Sequence, residues 1–172
     1  MSDNSRQMTA EEAAAFTEQV FNVARQGDAQ MLDKLTSNGL PVNLRNHKGD
    51  TLLMLASYYG HVDAVQVLLK HKADPEIRND NGQSPIAGAA FKGDLAVVKA
   101  LVEGGAEVEG SSFDGRTALM MAAMFNRTEI VDYLIGKGAN PRATDANGVS
   151  ALEAAKTMGA LDTTAQLQTL LG

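Results

Sequence analysis

The sequence predicts an all-α repeat solenoid: a stack of helix-turn-helix units with projecting β-hairpin turns, about five repeats including degenerate caps. Three observations carry this. Gly49, Gly82, Gly115 and Gly148 stand 33 residues apart, and a fixed period of this length marks a stacked array. The segments that follow, Asp50-Thr51-Leu52-Leu53, Gln83-Ser84-Pro85-Ile86, Arg116-Thr117-Ala118-Leu119 and Val149-Ser150-Ala151-Leu152, align without an insertion or deletion. Two further glycine registers share the period: Gly27, Gly60, Gly93 and Gly159, with Asn126 in the open slot, and Gly39, Gly105 and Gly138, with Lys72 out of line.

From the N-terminus, residues 1–8 read as a disordered polar tail ahead of one repeat domain over 9–172, with units near 9–47, 48–80, 81–113, 114–146 and 147–172. Thr9-Ala10-Glu11-Glu12 has the form of a capping box and leads into a lengthened helix that shields the first repeat. A degenerate unit from about Val20 to His47 opens the array. Each later unit begins with a short helix, over about 51–59, 84–92, 117–125 and 150–158, that starts on a capping Thr or Ser. Pro85 falls one place after the cap, where its missing N–H costs nothing. Ala56, Ala89, Ala122 and Ala155 recur inside this helix and leave room for a neighbour. Asn126 in the glycine register implies a left-handed backbone at the helix end.

The second helix carries Val65, Leu68 and Leu69, then Val98, Leu101 and Val102, then Val131, Leu134 and Ile135, a spacing that puts them on one face. Asp63, Glu129 and Asp162 offset the helix dipole in the first turn. A polar turn follows each unit, and two of these turns contain Asn-Gly, a short hairpin signal. In the last unit Thr164, Leu167 and Gln168 replace the apolar face, and Gln166, Gln168 and Thr169 suit an outer face turned to water.

Segments such as Asn81-Gly82-Gln83-Ser84-Pro85-Ile86-Ala87-Gly88-Ala89-Ala90 and Gly138-Ala139-Asn140-Pro141 resemble the ankyrin-repeat pattern, and the likeness runs from about Val20 to the C-terminus. One departure is consistent. The histidine usual in the family's first helix is replaced by Met54, Ala87, Met120 and Glu153, which removes the hydrogen bonds it gives to adjacent turns. The resemblance implies a module that binds other proteins.

Composition narrows the function classes. A net charge of -6 gains nothing from a phosphate backbone, so no nucleic-acid partner is expected. With no cysteine, thiolate nucleophiles, thiolate metal sites and disulfides are excluded. Met1 to Gln7 has no signal-peptide character, and no stretch approaches the roughly 18 apolar residues of a membrane span, so a soluble cytoplasmic monomer is expected. His47, His61 and His71 make no metal-ligand spacing, and no nucleophile elbow or phosphate loop occurs, so no catalytic residue, cofactor or metal is expected. His61, just after Gly60, suits a structural role at the second helix start.

In ankyrin-like units the two residues before the helix-ending Gly point toward the concave groove, as do the hairpin tips. That carries partner-binding roles onto Tyr58 and Tyr59, Phe91 and Lys92, Met124 and Phe125, and Thr157 and Met158, with Phe113 and Arg116 at the tips. His47, Lys48, Asp50, Asp80, Gln83 and Asp114 join Arg116 as a polar rim. Large rigid aromatics on an accessible surface are typical binding hot spots. Two arrangements fit the paired places: both residues on the groove, or one of each pair turned inward over the helix layer. The favoured function is a non-catalytic protein-binding module. The alternative is a dedicated inhibitor, immunity factor or chaperone of one partner enzyme. An enzyme or small-molecule binder is opposed by the lack of a nucleophile–base pair.

Overall fold

The computed structural model describes residues 6–172, so most of the expected tail at 1–8 lies outside the described residues. Among these residues the chain forms ten helices in five consecutive pairs: α1 (Ala10–Gln26) with α2 (Ala29–Ser37), α3 (Leu52–Tyr58) with α4 (Val62–Lys70), α5 (Pro85–Lys92) with α6 (Leu95–Glu103), α7 (Ala118–Met124) with α8 (Thr128–Gly136), and α9 (Ala151–Thr157) with α10 (Leu161–Leu171). The first helices pack side by side in one layer and the second helices in another. This is the all-α solenoid the repeat implies.

Each first helix starts where the sequence puts a hydroxyl. Thr51, Ser84, Thr117 and Ser150 accept from the backbone N–H three residues on, and Thr9 with Glu12 closes the capping box of α1. The recurring alanines Ala56, Ala89, Ala122 and Ala155 are fully buried between neighbouring first helices. Leu68, Leu101 and Leu134 of the second helices are buried against them and join one continuous core from Val20 to Leu167.

First helices end in a left-handed residue. At the end of α3 the Gly60 N–H bonds to the Ser57 carbonyl and the His61 N–H to the Ala56 carbonyl, which requires Gly60 to hold φ 78°. Asn126 takes this place after α7 at φ 60°. Lys72, the exception in the third register, also holds φ 69° and closes α4 in the same way.

The projecting turns stand where the sequence places them, and their conformation is set inside each loop. Each is closed by a bond from the register glycine's N–H to the carbonyl three residues earlier, as from Gly82 to Asn79. A two-residue type I′ loop needs positive φ at both central residues. Only the glycines have it; Asn81 and Asn147 do not. The loops are instead fixed from their first residue, where Asn46, Asn79 and Asp145 side chains accept from two backbone N–H groups of the same turn. Pairing across the loops is limited to isolated bridges, Arg45 with Thr51, Ser111 with Thr117 and Thr144 with Ser150.

Adjacent turns are tied without the first-helix histidine, whose places hold buried Met54, Ala87 and Met120. Asp80 N–H bonds to the Lys48 carbonyl, and Ala146 N–H to the Asp114 carbonyl. Asn43, Glu76 and Glu109 side chains each accept from a backbone N–H in the next unit. At the C-terminal end Gln166 turns inward rather than to water, donating to the Thr128 carbonyl and to Asp132. The outer face of α9 is made polar by Glu153 and Lys156, both exposed where internal units bury Met, Ala or Ser.

Candidate functional site

The C-terminal ends of α3, α5, α7 and α9 lie along one edge of the inner layer because the Gly60, Gly93, Asn126 and Gly159 turns end these helices at equivalent places. Their last residues divide into two groups. Tyr58 and Tyr59 are 38% and 52% exposed and meet edge to face, with ring centroids 5.4 Å apart. The Lys92 ammonium lies 4.6 Å over the Tyr58 ring, a cation–π contact that joins α3 to α5. Phe91 and Phe125, both half-buried, pair edge to face at 4.7 Å and join α5 to α7. Met124 is half-buried, and Met158 is 50% exposed at the end of α9.

The two tip residues are held apart from this strip. Phe113, 68% exposed, lies where a side chain on Gly82 of the preceding tip would stand, with the Arg78 guanidinium 5.5 Å from its ring centre. The glycine register at the tips therefore serves close approach as well as positive φ. Arg116 is half-buried and faces Asp114 and Asp145 across two turns. It braces the loops rather than standing free.

Two of the three histidines make structural contacts. His61 Nε2 bonds to the Arg25 carbonyl at 2.7 Å, and its ring covers Gly27. His71 Nε2 contacts Asp33 Oδ1 at 2.6 Å, and this hydrogen bond holds the Asp33 carboxyl below the usual carboxylate range. The Ser112 hydroxyl does the same for Asp114. Burial pushes the Tyr133 hydroxyl up, and it has no hydrogen-bond partner among the described residues. Among those residues no three His, Asp or Glu side chains gather in a way that could hold a metal ion, and no helix is long and apolar enough to cross a membrane.

Two shallow clefts lie off the strip. One, of about 510 Å³, separates α8 from α10 and is lined by Ile135, Gln166 and Leu170 among others. The other, of about 550 Å³, runs between Arg45, Arg78 and Phe113 on the turns. Of its lining, the sequence singles out Phe113 and Asp80 but not Arg45 or Arg78. Arg45 is placed there by its side chain, which donates to the Arg78 carbonyl one full period on.

A family model described as ankyrin repeats (3 copies) matches residues 20–112 and again 89–169. The chain belongs to the ankyrin-repeat family. A putative ankyrin repeat protein of Pseudomonas aeruginosa is 56% identical to this ankyrin-repeat chain over 67 residues, 39% of each protein. A human ankyrin repeat domain-containing protein is 46% identical over 48 residues, 28% of this chain and 13% of that one. A probable E3 ubiquitin-protein ligase of rice is 41% identical over 51 residues, 30% of this chain and 10% of that protein. The chain thus aligns with well under two thirds of each of these ankyrin-repeat relatives.

Proposed function

We propose that this ankyrin-repeat chain is a non-catalytic interaction module that holds a protein partner along the concave groove at the C-terminal ends of its first helices. The supporting observation is the exposure of Tyr58, Tyr59 and Met158 on that edge, on either side of the half-buried Phe91–Phe125 pair. Tyrosine supplies broad contact area with little rotamer entropy to lose, and methionine adapts to an irregular partner. The half-buried pair fixes the middle of the strip, and the exposed residues supply its contact surface.

The decisive experiment uses only exposed positions, because polar residues at Phe91 or Phe125 would also damage packing. Tyr59→Ser combined with Met158→Ser is expected to leave the melting temperature close to that of the parent. Retention of the natural partner, identified by cross-linking and mass spectrometry, is expected to fall by about tenfold or more, the equivalent of ~1.4 kcal/mol. Full retention by the folded double variant would falsify the groove reading.

A further inference from the structure

The glycines of this fold divide by what requires them. Most hold positive φ. A side chain on Gly104 would stand 2.4 Å from Leu69 Cδ1, and one on Gly110 would stand 3.0 Å from Glu76 and 3.1 Å from the Glu107 carbonyl. Gly136 is open but lies at the last residue of α8, on the solvent side. Gly88 has none of these reasons. It lies in the interior of α5, and a Cβ there would meet only Tyr58 Cδ2, at an ordinary 3.9 Å. Glycine inside a helix is less favourable than alanine, so this position gives up helix stability with no steric return.

What glycine leaves there is space in the groove. The equivalent places on the neighbouring first helices carry Leu55 and Met121. Gly88 leaves a notch between them, with the Tyr58 ring as one wall and Phe91 and Lys92 one helical turn further along the same face. The Lys92 ammonium rests on the Tyr58 ring and makes no ion pair among the described residues. The notch is therefore an apolar dent with one unpaired cation on its rim.

We propose that the Gly88 notch is the anchor pocket of the groove, taking one apolar side chain from a partner peptide segment that also carries a carboxylate close to that anchor. This rests on the groove reading above. The anchor fills the dent and excludes water, while the carboxylate pairs with Lys92, whose hydration the Tyr58 ring already reduces. Charge complementarity at Lys92 selects an acidic-apolar segment over a basic one.

The test selects phage-displayed random dodecapeptides on the whole chain, then measures their affinity for variants. Gly88→Ala is expected to raise the melting temperature by roughly 2–4 °C while weakening the selected peptides. Gly88→Leu, which copies Leu55 at the equivalent place, is expected to weaken them by about tenfold or more. Lys92→Glu is expected to turn the preference from acidic to basic peptides. Peptides that bind Gly88→Leu as well as the parent, yet are lost on Tyr59→Ser, would sink the notch and leave the groove standing. Peptides insensitive to both changes would remove the groove reading as well. A selection that yields no binder overturns the proposal. So does dimerisation of the chain that Gly88→Leu abolishes, because the occupant would then be a second copy. No rise in melting temperature for Gly88→Ala would show a structural need for glycine and remove the premise.

Discussion

Asn126 performs two tasks with one side chain and one backbone angle. Its positive φ closes α7, and its side-chain oxygen accepts from the Asp162 and Thr163 N–H groups at the start of α10. That helix needs the help, because its own cap residue, Ala160, has no side-chain oxygen. Asn126→Ala is expected to cost about 2–3 kcal/mol in urea unfolding, the sum of left-handed strain and a lost cap. Asn126→Gly keeps the backbone and is expected to lose only the cap, about 1 kcal/mol. Equal losses would show that the cap dominates. Lys72 is the converse case: an exposed lysine at φ 69°. Lys72→Gly should raise the urea midpoint, by about 1 kcal/mol of released strain. At Asp33 the folded carboxyl is held below its usual value by His71. Its contribution is present above the unfolded value near 3.9 and lost as pH falls through the lower folded one. The melting-temperature gap between the parent and Asp33→Asn should therefore exist at neutral pH and close in strong acid; a gap independent of pH would contradict this.

Elements close their ends with local chemistry, and that is why most of them could be read from the sequence. The caps Thr51, Ser84, Thr117 and Ser150 act within three residues, so the sequence neighbourhood contains the whole interaction. The turns were legible as projecting loops from their Asn-Gly pairs, but their shape is decided by Asn79 and Asp145 at the start of the loop. Exposure along the strip was legible only in part: Tyr58, Tyr59 and Met158 are exposed, but Phe91 and Phe125 are not. Phe91 is half-buried because of Phe125 in the next unit, and which member of each pair turns inward depends on such neighbours. Gln166 failed for the same reason, its partners being on α8. At the last first helix, Glu153 and Lys156 keep an uncovered face polar. Glu153→Met with Lys156→Ala restores the residue types found inside the stack. It should cause concentration-dependent self-association in light scattering, with helix content unchanged, because it creates an exposed apolar patch.

At the scale of the stack, the main helix contacts among the described residues run within a unit or between adjacent units, so stability is shared between units and the seams between them. Amide exchange should be slowest in α5 to α7, flanked on both sides, and fastest in the first turns of α1 and in α10. Uniform protection from end to end would contradict this. The seams differ in chemistry: His61 on the Arg25 carbonyl, Arg127 on the Phe91 carbonyl, and Asn126 with Thr163 at the last. The first two use a backbone carbonyl as acceptor, which any unit provides; the last adds to such a bond, from the Thr163 hydroxyl to the Ala123 carbonyl, the side chain of Asn126. Gene-level shortening of the array is therefore not equivalent along its length. Removal of residues 82–114 rejoins the chain in phase and brings Arg127 against Gly60 and the Tyr58 carbonyl, a seam of the same kind. Removal of residues 115–147 is equally in phase but takes Asn126 with it and leaves α10 uncapped. Duplication and deletion have freedom in the middle of this array, and the final joint can be inherited only as a matched pair of units.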